Sequence, residues 1–195
     1  MPKIVDHDER RRELARAALD VISRSGLEAA TIRAVAEESG WSTGVLKHYY
    51  VDKDELLHES LREMERANLA RFDAAQQQPT GLDAITAIVA AIRRAEPRET
   101  RLWIAFTSRA CVDPAIASMM RHAIEVWVAR WAALVVRGQH DGSIRPDIDP
   151  ARVAREIHAL VNGLRLREQF RPAHPSPEWP AFPGDPVLLD SLRAR

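Results

Sequence analysis

Cysteine is almost absent from this 195-residue chain, Cys111 being the single one. One thiol cannot close a disulfide within the chain, which suits a reducing compartment and sets aside the stapled secreted scaffolds. Long apolar runs and signal-like segments are missing too, so neither a membrane span nor secretion is expected and the cytoplasm is the expected location. Charge of one sign is not in excess, since 28 Lys and Arg stand against 28 Asp and Glu. Such a chain is not a broadly basic polyanion binder, and contact with nucleic acid has to rest on local placement, with the acids turned away. Chemistry-bearing motifs are scarce. His122, His140, His158 and His174 lack the close paired spacing of metal ligands. Neither a nucleophile motif nor a Gly-rich phosphate loop occurs, so no enzyme activity, metal or cofactor is expected.

What the chain does have is helical periodicity almost throughout. Asp8 to Ser25 reads as a first helix with Leu14, Ala18, Val21 and Ile22 on one side and Gly26 as its stop. Asp54 to about Ala75 reads as a long fourth helix with Leu57, Leu61, Met64 and Phe72 inward, and Leu82 to about Ala95 as a fifth carrying Ile85, Ile88, Val89 and Ile92. Pro97 is expected to break the chain, with a sixth helix from Arg101 to Cys111. Asp113 and Pro114 open a seventh to about Gln139, and Asp149 and Pro150 an eighth with Val153, Ile157, Leu160, Val161 and Leu164 as its buried stripe. Six prolines between Pro172 and Pro186, with Trp179 and Phe182 among them, exclude regular helix there; an extended arm and a linker both fit. Val187 to Arg195 leaves room for a short last helix.

The most telling stretch is TIRAVAEESGWSTGVLKHYY, Thr31 to Tyr50. Thr31 can cap a helix through its hydroxyl, and Ile32, Val35 and Ala36 recur at helical spacing to bury one face of it. Gly40 suits the left-handed position that ends a helix, and Trp41 is expected to drop into the small core. Ser42 then caps a second helix, whose inward face is Val45, Leu46 and Tyr49. Thr43, Gly44, Lys47 and His48 are left facing outward. Two short capped helices around a glycine turn have the spacing of a DNA-binding helix-turn-helix. The outward set suits that partner: Thr43 can exchange hydrogen bonds with base edges, Gly44 allows close approach, and Lys47 and His48 carry donors toward phosphates or purine acceptors. Arg33, Lys53 and the run Arg10 to Arg12 are further cations for the same surface.

From its basic first helix through SGLEAATIRAVAEESGWSTGVLKHYY into VDKDELL, the chain resembles the TetR family of transcriptional regulators. RRRELARAALDVI, STGVLKHYYVDKDELL and LVNGLRLR look most like its choline-sensing, BetI-like branch. Lys47 stands where that family commonly has tyrosine, and Tyr50 where it commonly has phenylalanine; the first exchange argues for a different operator. Lys53 matches the family's phosphate-contacting lysine, at a helix N-terminus whose backbone donors add to it. The resemblance implies an all-α protein with an N-terminal three-helix helix-turn-helix domain, residues 1–53, and a C-terminal helical bundle, residues 54–195, that binds ligand and dimerises. The expected DNA-binding residues are Thr31, Arg33, Ser42, Thr43, Gly44, Lys47, His48, Tyr49 and Lys53.

In the C-terminal half, Trp103, Phe106 and Ala110 share a face of the sixth helix, and Met120, Ile124, Trp127 and Trp131 recur along the seventh. An electron-rich indole face attracts cations, so Trp103, Phe106, Trp127 and Trp131 would suit a quaternary ammonium such as choline, with His158 and Asn162 as polar anchors; ordinary core is the competing reading. The function expected is a homodimeric repressor that binds a palindromic double-stranded DNA operator and is released by a small-molecule effector. An architectural DNA-binding protein on the same scaffold, with no effector, is the alternative.

Overall fold

The computed structural model describes residues 7–93, 96–170 and 187–194, and every regular element among them is a helix. In chain order these are α1 (His7–Ser25), a single 3-10 turn (Leu27–Ala29), α2 (Ile32–Ser39), α3 (Thr43–Tyr49), α4 (Lys53–Ala75), α5 (Gly81–Arg93), α6 (Pro97–Ala110), α7 (Pro114–Asp141), α8 (Pro150–Gln169) and α9 (Val187–Leu192). The proline-rich span 172–186, with its choice between arm and linker, lies outside the described residues. No described helix is long and apolar enough to cross a membrane.

The helices form two compact units, one of Met1–Ala70 with Arg101–Met119 and the other of Arg71–Thr100 with Met120–Arg195. In the first unit the α1 stripe Leu14, Ala18, Val21 and Ile22 is buried, as are Leu57, Leu61 and Met64 of α4. Gly26 ends α1 at φ 84°, its N–H reaching the Ile22 carbonyl at 2.9 Å. Most of α6 belongs here: Arg101 Nε donates to the Ser23 carbonyl at 2.8 Å, and Phe106 is fully buried. Cys111, just past α6, is exposed.

The second unit has one apolar core, built from Phe72, then Leu82, Ile85, Ile88 and Val89 of α5, Trp131, Leu134 and Val135 of α7, Val153, Ile157, Val161 and Leu164 of α8, and Leu189 and Leu192 of α9. Short α9 is tied in through its backbone. The Arg145 N–H donates to the Leu192 carbonyl at 3.0 Å, and the Ala194 N–H to the Ser143 carbonyl at 3.3 Å. Gly81 starts α5 directly against α7: a Cβ there would lie 2.3 Å from the Gly138 nitrogen and 2.5 Å from the Leu134 carbonyl.

Two expectations are corrected. The sixth helix starts at Pro97 and not at Arg101: proline interrupts the helical run after α5 as expected but also opens α6, because the first helical position has no use for the N–H that proline lacks. Ile124 is not part of an inward stripe; it is 43% exposed, since the core of the second unit reaches α7 only from Trp127 onward.

Candidate nucleic-acid interface

Thr31 Oγ1 accepts the Ala34 N–H at 3.1 Å and so starts α2, which ends on Gly40 in the left-handed region at φ 73°. Only a residue without a Cβ enters that region freely, so the chain reverses at Gly40 within one residue. Ser42 Oγ then accepts the Val45 N–H at 3.3 Å and starts α3. Val35, Ala36 and Leu46 are the fully buried positions of α2 and α3, with Tyr50 buried just beyond. Thr43, Gly44, Lys47 and His48 are all exposed, as one continuous outward face of α3.

Trp41 and Tyr49 are not core residues. Both are half-buried at the rim, where their polar edges find partners. The Trp41 indole donates to Glu13 Oε1 at 3.2 Å and lies under the Arg10 guanidinium at 4.2 Å. The Tyr49 ring packs against His7 at 4.7 Å and His48 at 5.2 Å.

The acids are not turned away from every base. Glu37 pairs with Arg33 at 3.0 Å, one turn apart on α2. Lys53 Nζ sits 2.9 Å from Glu28 Oε2 and 3.1 Å from the Glu28 carbonyl, and Arg109 of α6 reaches the same carboxylate at 3.4 Å. The hydrogen bond from Lys53 holds the Glu28 carboxyl below the usual carboxylate range. The Lys47 and His48 side chains of α3 itself stand on the exposed face with Thr43 and Gly44.

The residues expected to bind ligand are divided, Trp103 and Phe106 falling in the first unit and Trp127, Trp131, His158 and Asn162 in the second. Phe106 and Trp131 are buried, Trp103 and Trp127 half-buried. Phe72 packs edge-to-face on both Trp127, at 5.4 Å, and Trp131, at 5.2 Å. Trp131 Nε1 is buried with no acceptor among the described residues. His158 Nε2 and Asn162 Nδ2 lie 3.1 Å apart, one turn apart on α8. Burial, helped by the charge of Arg165, pushes the imidazole pKa down, so at neutral pH it is uncharged and can accept from the amide. Sequence reasoning saw neither Phe72 as a partner of these tryptophans nor Arg11 as a partner of α3. The signal for Arg11 lay in its spacing, three residues before Leu14 and seven before Ala18, on the buried stripe of α1.

Two capped helices around a left-handed glycine, the second presenting threonine, glycine, lysine and histidine to solvent, define a helix-turn-helix DNA-binding regulator. The comparisons with known proteins agree. Residues 14–60 match the model of bacterial regulatory proteins of the tetR family, and residues 80–179 match that of the BetI-type transcriptional repressor C-terminal domain. The HTH-type transcriptional regulator BetI of Paraburkholderia phymatum is 36% identical over 172 residues, covering 86% of this chain and 85% of its own. The HTH-type transcriptional regulator PksA of Bacillus subtilis is 28% identical over 183 residues, covering 88% and 84%. Among solved structures, a transcriptional regulator from Rhodococcus sp. superposes with a TM-score of 0.72 at 27% identity, over 93% of this chain and 90% of that one. This chain belongs to the TetR family of transcriptional regulators, in its BetI-type branch, and is a regulator rather than an enzyme.

Proposed function

We propose that two copies of this chain form a repressor that reads a palindromic operator through α3 and leaves it when a small molecule binds the second unit. The exposed face of α3 carries this reading. For two such faces to enter successive major grooves, a two-fold dimer must hold them about one DNA turn apart, roughly 34 Å. The dimer is supported by apolar surface that the second unit leaves uncovered: Val136 of α7 is 40% exposed, Leu166 of α8 41% and Phe170 64%. Footprinting tests the operator. A single palindromic protected site beside a promoter is expected, whereas dispersed protection would favour the architectural alternative.

The proposed DNA contacts are Thr31, Arg33, Ser42, Thr43, Gly44, Lys47, His48, Tyr49 and Lys53. Lys47 is assigned to phosphate, so Lys47→Ala is expected to weaken operator and random DNA alike. Each phosphate contact contributes about 0.9 to the log–log salt slope, and a dimer loses two, so the slope should fall by about 2. Anisotropy titrations over a salt series measure it; an intact slope with lost sequence preference would reassign Lys47 to base readout.

For the effector, the second unit offers Trp127, the neutral His158–Asn162 pair and the Trp131 indole N–H. A buried donor left unmade costs about 1–3 kcal/mol, so a ligand bringing an acceptor to it gains correspondingly. The BetI-type match and a similar structure from Saccharomonospora viridis, described in complex with choline, at 23% identity and a TM-score of 0.72, favour a choline-like compound. Calorimetric titration with choline, betaine aldehyde and an uncharged isostere is the test. Heat with the cations alone, together with looser operator binding, is expected. Equal or absent heats for all three would leave the tryptophans as core.

A further inference from the structure

The two helices of the DNA-reading motif end differently. Helix α2 closes on Gly40, in the left-handed region, which turns its last carbonyls toward backbone donors. Helix α3 has no such residue. Its C-cap is Tyr50 in extended conformation, φ −135° and ψ 123°, and only the Tyr50 N–H returns to the helix, to Leu46 O. A short helix ending this way leaves carbonyls to be satisfied from elsewhere.

The donor comes from α1, 38 residues away in sequence. Arg11 Nη1 donates to the Tyr49 carbonyl, and Nη2 to Glu55 Oε1 of α4 at 2.8 Å. The other oxygen of Glu55 accepts the Val51 N–H at 2.8 Å, so one guanidinium and one carboxylate hold the chain on both sides of Tyr50. Tyr50 closes the arrangement: its ring lies 4.6 Å from the guanidinium carbon, and its hydroxyl donates to the Arg11 carbonyl at 2.6 Å. Burial pushes the Tyr50 phenol pKa up, so the hydroxyl stays protonated and keeps donating. A cation at a helix C-terminus also opposes the partial negative charge there.

We propose that Arg11 is a positioning residue for DNA recognition, fixing the tilt and register of α3 from its C-terminal end while Ser42 fixes it from the other. Arg11 is directed at a carbonyl and a carboxylate inside the unit, so it acts on sequence discrimination and not on phosphate attraction. The inference rests on α3 being the base-reading helix, and the two ideas fail separately. If the unaltered protein shows no preference for its operator over random DNA, the reading of α3 is wrong whatever Arg11 does.

Arg11→Lys keeps the charge but replaces a rigid fork of two directed nitrogens by a single ammonium, which loses the planar geometry that holds Tyr49 and Glu55 in fixed relation. At a temperature where the variant is fully folded, operator affinity is expected to fall by about 10-fold, the scale of one well-made base contact. Affinity for random DNA and the salt slope should not move, and amide exchange at Tyr50 and Val51 should quicken. Tyr50→Phe removes only the hydroxyl bond and should give the same signature, reduced to about 3-fold; it decides alone if Arg11→Lys does not fold. Equal losses on operator and random DNA, or lower melting temperatures with discrimination intact, would overturn the assignment.

Discussion

Replacing Gly44 with leucine is expected to abolish operator binding, by more than about 100-fold, while the protein stays folded. The two halves have separate physical grounds. A Cβ on Gly44 meets nothing nearer than Ser42 Oγ at 3.7 Å, an ordinary van der Waals distance, so the first unit has room for a side chain. Glycine inside a helix is about 1 kcal/mol worse than a good helix former, so the melting temperature should hold or rise. On the outer face, however, Gly44 lies between Thr43 and the Lys47–His48 pair. A branched side chain there would lift Thr43 and His48 from the base edges and Lys47 from its phosphate, and losing about 3 kcal/mol of contact accounts for the expected factor. Gly44→Ala should fall between. Anisotropy titration beside a thermal melt measures both halves, and tight operator binding by the leucine variant would remove Gly44 from the docking face.

The opposite result is expected at Gly81. Gly81→Ala would put a methyl 2.3 Å from the Gly138 nitrogen and 2.6 Å from its Cα, contacts with α7 backbone that no side-chain rotation relieves. To make room, α5 must move from α7 and disturb the bonds that seat its first turn, from the Gly81 N–H to Asp141 Oδ2 at 2.7 Å and from the Leu82 N–H to Ser143 Oγ at 3.3 Å. Overpacking of this kind costs about 1–3 kcal/mol, and backbone contact places Gly81 at the upper end. A fall of several degrees in the melting temperature of the second unit is the expected reading. A melt indistinguishable from the unaltered protein would mean that α5 and α7 are not in contact there.

The motif was legible because its determinants are local. Thr31, Gly40 and Ser42 act on backbone within three or four residues, and the buried stripes of α1, α4, α5 and α8 follow from a single period. The start of α6 is harder to read for the same local reason, since a proline can both stop one helix and start the next and only the following turn decides. The Gly40 turn points Trp41 toward the core and helical spacing puts Tyr49 there with Val45 and Leu46, whereas an indole N–H and a ring edge favour a rim where Glu13, Arg10 and the histidines can meet them. Contacts across dozens of residues do not name their partners in the sequence. Spacing puts Arg11 on the buried stripe of α1 but does not point to Tyr49 or Glu55, Phe72 looks like one more helix-face hydrophobe, and nothing near Gly81 announces Gly138. The effector residues were legible only as types, because helix faces do not say which rings close on a cavity and which on each other.

Cys111 gives the chain a practical handle. It is the sole thiol and it is exposed, its sulfur within 3.5 Å of the Thr107 carbonyl at the end of α6. A nitroxide or fluorophore therefore attaches at one place per copy with no background to remove. In a two-fold assembly the two labels report one distance between the DNA-reading units. Pulsed spectroscopy can follow that distance as operator or effector is titrated, turning an otherwise idle side chain into a ruler for the switch.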